Sequence, residues 1–150
     1  AEDEHRLRDL FHSLSEKTIH YRFFHPIKEV THDLLIRYCH NDYEREIGIV
    51  ADYEDKILGV GRLIMDPGDY SAEFAVVVTD AWQNKGLGTK LVSTVVDIAK
   101  KKGLEKVYAV VIKDNHPMIH VAKKLGFEVE AGDVGDEYNL TYYVKKEETR

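Results

Sequence analysis

The order of periodicities along this chain of 150 residues predicts an α/β (α+β) fold, with helices layered on a mostly antiparallel sheet. Three observations carry that expectation. Apolar residues recur at helical spacing near the start, strand-like runs follow one another in the middle, and helical and strand-like segments then alternate to the end. The length suits one continuous domain with a single sizeable core, residues 1–150, and no repeat, low-complexity segment or linker divides it.

Leu7, Leu10, Phe11 and Leu14 lie at helical spacing and predict a first helix to about Ser13. Ser15 to Thr18 open a short second helical turn before Pro26, and Thr31 is placed to cap a third helix through about His40. Beyond Asn41 and Asp42, Glu46 to Ala51 and Lys56 to Met65 read as two strands joined by the polar turn Asp52 to Asp55. A second turn, Asp66 to Asp69, leads to a third strand, Tyr70 to Thr79. Its run Ala75, Val76, Val77, Val78 is apolar on both faces and so belongs at the centre of the sheet. The next helix runs to about Lys102, with Leu87, Leu91, Val95, Ile98 and Ala99 as its apolar face and Gly103 as its end. Val107 to Ile112 predicts a buried strand and Asn115 to Leu125 a helix closed by Gly126. Phe127 to Val129 and Tyr138 to Val144 form a last strand pair.

Composition excludes several functions. A hydrophobic share of 43% and a charged share of 32% are those of an ordinary soluble globular protein. Net charge is −6, against the basic surface that general nucleic-acid binding needs. No apolar run reaches the length of a bilayer-crossing helix, and the charged start Ala1 to Arg6 lacks the apolar stretch of a secretory signal. The expectation is a cytoplasmic protein with neither membrane nor nucleic acid as partner. The single cysteine, Cys39, cannot form an internal disulfide and reads as a small core residue. The eight histidines show no zinc-ligand spacing, and the acidic loop with Asp133, Asp136 and Glu137 has no calcium-loop spacing, so no metal is expected.

The informative segment is a strand, then Gln83-x-x-Gly86-x-Gly88, then a helix. A helix N-terminus offers unpaired N–H groups and a partial positive charge, and so attracts phosphate. Glycines let the backbone approach a diphosphate without a Cβ in the way, and Lys85 and Lys90 add positive side chains beside those amides. Gly-x-Gly before a helix is by itself a weak signal, since a tight turn without a ligand explains it as well. A dinucleotide fingerprint needs a third glycine where this chain has Leu91, and no Gly-Lys-Ser/Thr follows to make a nucleotide P-loop.

Val76 to Gly88, with its valine-rich strand, short turn and Gln83-x-x-Gly86-x-Gly88, resembles the acyl-CoA-binding motif of the GNAT superfamily of N-acetyltransferases. A second landmark of that family is present in Asn115 followed by Lys124, Leu125, Gly126 and Phe127. Likeness to the superfamily covers roughly Glu46 to Val144. Ser15 to Lys17, Tyr21 to Phe24, Asp42 to Glu46 and Ala72 to Val78 also resemble one bacterial branch, over nearly the whole chain. In that branch, of protein lysine acetyltransferases, the domain is often fused to an NDP-forming acyl-CoA synthetase-like domain.

The resemblance implies a mixed, mostly antiparallel central sheet with helices on both faces and two strands splayed at an acyl-CoA site. It implies acetyl-CoA as co-substrate and a lysine-bearing protein as acceptor, among which an acyl-CoA synthetase is one option. Val76 and Val78 hold the positions whose main-chain groups pair with pantetheine, the Val76 amide facing the thioester oxygen. Amides from Asn84 through Lys85, Gly86, Leu87 and Gly88 to Thr89 hold the diphosphate, Gln83 opens that motif, and Asn115 reaches the pantetheine arm.

Glu73 matches the branch's catalytic glutamate. Chemistry points to the same residue: a lysine nucleophile is mostly protonated at neutral pH, so a general base must take a proton. A carboxylate at the entry of an otherwise apolar strand is expected to be partly desolvated, with its pKa raised. An edge glutamate in solvent is the plain alternative.

Two departures from the family bear on function. Many members carry a tyrosine four residues before the glycine of Leu-Gly-Phe, as the acid for the departing thiolate; this chain has Ala122 there. His116 and His120 are on the same helix and read as ordinary surface or core histidines. The family also begins with a strand before its first helix. Here that strand is absent, or the sequence is a piece of a longer protein. The alternatives carried forward are a small-molecule amine acetyltransferase and a non-catalytic acyl-CoA sensor. Asp42, Glu44, Glu46, Glu54 and Asp55 read as solvated turn charges rather than an acidic acceptor rim.

Overall fold

A computed structural model describes residues 2–23, 46–68, 70–83, 85–132 and 135–144. The helix expected from Thr31 to His40, with Cys39 on it, lies outside the described residues, as do Asp42, Glu44, Asn84 and Asp133. Among the described residues the order is α1 (Glu2–His12), α2 (Glu16–Phe23), β1 (Glu46–Tyr53), β2 (Lys56–Met65), β3 (Ser71–Val78), a 3-10 turn (Asp80–Trp82), α3 (Leu87–Lys101), β4 (Lys106–Ile112), α4 (His116–Lys124), β5 (Glu128–Ala131) and β6 (Glu137–Tyr143). The strands form one sheet in the order β1-β2-β3-β4-β6-β5. Every neighbouring pair is antiparallel except β3 and β4. The valine-rich strand is central, as its apolar faces require.

Helices cover both faces. On one, Leu7, Leu10, Phe11 and Leu14 of α1 and its C-terminal end pack against Ile57, Val60 and Val77. Burying each such side chain contributes about 1.5–3 kcal/mol, which fixes α1 on the sheet. On the other face, α3 and α4 close a core that includes Leu63, Phe74, Val92, Val95, Val107, Ile119, Phe127 and Leu140. The buried face of α3 is Leu91, Val92, Val95, Val96 and Ala99, while Leu87 and Ile98 are only half-buried. The face expected from sequence is therefore rotated toward Val92 and Val96, which are buried in the core with Leu63, Phe74 and Val107.

The first hairpin is tighter than expected. Strand β1 continues to Tyr53, and Glu54 (φ 49°) with Asp55 (φ 67°) form a two-residue turn of both-positive φ, which matches strand twist. Arg62, read from sequence only as part of a strand, is buried and ion-paired with Glu46, which begins β1 rather than lying in a turn and keeps its side chain partly exposed.

Close approach of α3 to β2 depends on Gly59. A Cβ there would stand 2.9 Å from Leu91 Cδ1 and 3.0 Å from the Val77 carbonyl oxygen. Leu91 can turn aside, but the Val77 backbone cannot move without disturbing β3. Gly59→Ala is expected to cost about 1–3 kcal/mol, read as a lowered urea midpoint with unchanged slope.

Candidate active site

Strands β3 and β4 are paired over three residues only: Ser71 with Lys106, Ala72 with Val107 and Glu73 with Tyr108. From Phe74 onward they diverge. The narrow end is held shut by Asp66, which accepts hydrogen bonds from Ser71 Oγ (2.8 Å) and Tyr108 Oη (2.9 Å), and by the Tyr70 carbonyl, which accepts from Glu105 N (2.6 Å). The opening is a cleft of about 580 Å³. Its strand walls are residues 74–78 of β3 and Ala109 and Val111 of β4; helices α2 and α4 and the start of α3 complete it.

Among the described residues three helix N-termini meet this cleft, and they differ. In α2 the first turn is capped by Ser15 Oγ, which accepts from Thr18 N at 3.1 Å. In α4 the Asn115 side chain accepts from Met118 N at 3.3 Å. In α3 the N-cap is Gly86, at φ 88° and with no side-chain cap. Only glycine takes that left-handed conformation without strain, and having no side chain it leaves the first-turn N–H groups of Leu87, Gly88 and Thr89 without such an acceptor. Nothing lies within 4 Å of where a Gly86 Cβ would be. The geometry is that of an anion site.

The expected residues divide as follows. Val76, Val78, Gln83, Gly86, Gly88, Thr89 and Asn115 all line the cleft. Gln83 is committed internally as well, since its Nε2 donates to the Val78 carbonyl (2.9 Å) and to Thr18 Oγ1 (3.1 Å). Asn115 likewise lines the wall while its amide oxygen caps α4. Lys85 and Leu87 flank the turn without lining the cleft, and Lys90 is exposed away from it. Among the described residues, the basic side chains that do reach the walls are Lys17 and Lys124, and His120 lines the cleft as well. Spacing around the glycine motif gave no sign of these, because they come from α2 and α4.

Glu73 is exposed rather than partly desolvated. Strand alternation explains this: Ala72 and Phe74, 0% and 3% exposed, point into the α3–α4 core, so Glu73 points to the opposite face. It is the last residue of β3 paired to β4, with Ile64 and Tyr108 opposite it on the two flanking strands. Ala122, at the position of the family's tyrosine, is fully buried in the core. Among the described residues no group of His, Cys, Asp and Glu could hold a metal ion, and no helix is long and apolar enough to cross a membrane.

A mixed sheet split between two parallel strands, with an uncapped helix N-terminus at its open end, is the frame of an enzyme that seats an extended phosphorylated co-substrate. Residues 7–127 match the acetyltransferase (GNAT) family. An acetyltransferase of Pseudomonas aeruginosa is 32% identical over 130 residues, 84% of this chain and 70% of that protein. The spermidine N(1)-acetyltransferase of Escherichia coli K12 is 32% identical over 100 residues, 65% of this chain but only 53% of its own length.

Among solved structures, the GNAT domain of S. lividans PAT superposes with a TM-score of 0.88 at 24% identity, covering 96% of this chain and 86% of that one. The acetyltransferase yncA of Salmonella typhimurium, solved with its cofactor acetyl-CoA, gives 0.77 at 20% identity, covering 99% and 92%. At such identities the likeness is one of fold. The chain belongs to the acetyltransferase (GNAT) family, and its enzyme class is that of the N-acetyltransferases.

The two glycines of the motif should separate in a stability measurement. Gly86→Ala forces a left-handed φ on a residue with a Cβ and should cost about 1–2 kcal/mol. At Gly88 a Cβ would meet only Val78 Cγ2 at 4.0 Å. Gly88→Ala should therefore be neutral or stabilising by up to about 1 kcal/mol, both read by chemical denaturation.

Proposed function

We propose that this domain transfers the acetyl group of acetyl-CoA to a protein lysine by direct attack. The observation that carries the donor half is the contrast between the helix starts at the cleft: α2 and α4 have side-chain caps and α3 has none. The first-turn amides of α3, from Leu87 to Thr89 together with those of residues 84–86, hold the diphosphate. Lys17 and Lys124 supply local positive charge in a chain of net charge −6. The pantetheine arm lies in the gap between β3 and β4, beside the main chain of Val76 and Val78 and past Asn115, with its thioester toward the narrow end. There the Val76 amide faces the oxygen on which charge develops.

The amine nitrogen attacks the thioester carbonyl carbon, a C–N bond forms, the C–S bond breaks, and Glu73 takes the amine proton directly or through water. Its exposure favours the water-relayed route. CoA leaves as thiolate and is protonated from solvent, since Ala122 offers no acid. Holding both reactants at the split of the sheet supplies much of the rate. A lysine acceptor is supported by the likeness of Ser15 to Lys17 and Ala72 to Val78 to the lysine-acetylating branch. A chain with one cysteine fits a reducing cytoplasm.

One finding favours a small amine instead: the spermidine-acetylating relative. Parallel turnover of a lysine-bearing protein and of free polyamines decides between them; a much higher kcat/KM for the polyamine would overturn the protein acceptor. Glu73→Gln is expected to lower kcat by about 10²–10⁴-fold while acetyl-CoA binding, measured by calorimetry, is retained. Binding without turnover of any amine by the unsubstituted chain would instead mark an acyl-CoA sensor.

A further inference from the structure

The Thr18 hydroxyl is the hub of a small network that ties Ser15 and Thr18 to Asp80 and Gln83. It donates to Asp80 Oδ2 (3.2 Å) and accepts from Ser15 Oγ (3.1 Å) and from Gln83 Nε2 (3.1 Å). One donor and two acceptor sites are all that a hydroxyl has, so its capacity is fully used. The Gln83 amide nitrogen is also fully used, with its second proton on the Val78 carbonyl. Asp80 in turn accepts from Ser15 N at 3.0 Å. Beside this, Ser13 Oγ donates to the Leu10 carbonyl and shares a 2.7 Å hydrogen bond with Thr79 Oγ1.

We infer that Thr18 is a positioning residue of the donor site, acting through Gln83. The chain from Val78 to Gly86 joins the β3 wall to the uncapped start of α3, and it has to arrive there with Gly86 in the left-handed region. Gln83 sets the exit of this segment by holding the Val78 carbonyl, and Thr18 sets Gln83 by taking the other amide proton. α1 is anchored to the sheet by its buried leucines and Phe11. The junction of α1 and α2 therefore serves as a fixed post from which the phosphate-facing turn is held. The inference rests on the donor reading proposed above.

Thr18→Val tests it cleanly. Valine keeps the β-branched shape, and the cap from Ser15 Oγ to Thr18 N survives, as does the bond from Ser15 N to Asp80. Valine removes all three bonds of the hydroxyl, those to Asp80 and from Ser15 Oγ and Gln83 Nε2. Loss of the neutral Gln83 bond, the one that faces the donor site, should raise KM for acetyl-CoA about five-fold. That rise should exceed the change in kcat, and Thr18→Ser should restore it. An unchanged KM in Thr18→Val, or a Thr18→Ser variant as impaired as Thr18→Val, would overturn the inference.

A second measurement needs no ligand. The Gln83 side-chain amide protons, followed by NMR, should exchange faster in Thr18→Val than in the unsubstituted chain and Thr18→Ser. Equal exchange in all three would sink the link between Thr18 and Gln83. Failure of the unsubstituted chain to bind acetyl-CoA would instead sink the donor reading, and the NMR comparison would still decide the Thr18 contact.

Discussion

Everything at the candidate site follows from how little of β3 touches β4. Three paired residues are enough to hold two parallel strands at one end, given the additional ties from Asp66 to Ser71 and Tyr108 and from Tyr70 to Glu105. The remaining length of both strands is then free to diverge without breaking the sheet. β2 continues to support β3 across all of Ala72 to Val78, and β6 supports β4 from Lys106 to Ile112. Each wall of the cleft is thus one member of an ordinary antiparallel pair. The split costs the fold one partial ladder and not two strands.

An acidic protein that seats a polyanion needs its positive potential to be local. Here the backbone supplies part of it, through a helix start whose N-cap glycine cannot satisfy the first-turn amides. Both other helix starts at the cleft are satisfied from within, by Ser15 and Asn115. Among the described residues, the basic side chains at the cleft are those of Lys17 and Lys124, on elements that precede and follow the glycine motif by tens of residues.

The order and type of elements were legible because each depends on local pattern. The stripe Leu7, Leu10, Phe11, Leu14 is wholly buried, and Gly103 and Gly126 sit at positive φ beyond the ends of α3 and α4. The glycine motif was legible for the same reason: its strand, turn and helix are contiguous. What escaped was set by tertiary packing. The α3 face turned toward Val92 and Val96, which pack into the core formed with the sheet and α4. Glu73 proved exposed because the sheet's inner face is decided by its neighbours Ala72 and Phe74. Thr18, Lys17 and Lys124 reach the cleft from segments that no spacing rule connects to it. Arg62 carried no sign in sequence that it would be buried beside Glu46.

The divergence of β3 from β4 has one more consequence. An extended ligand entering the gap meets a strand of backbone donors and acceptors, much as an added strand would. The walls offer it mostly Phe74, Ala75, Val76, Ala109 and Val111, which have no hydrogen-bonding side chains. On the proposed reading, recognition along this stretch falls to the main chain, so exchanging one valine for another apolar residue reshapes the wall but leaves the donor row in place. Scanning the gap by side-chain replacement would leave its polar recognition unseen. If the Val76 amide acts as proposed, replacing that single peptide N–H by an ester oxygen is the alteration that removes a letter of that text.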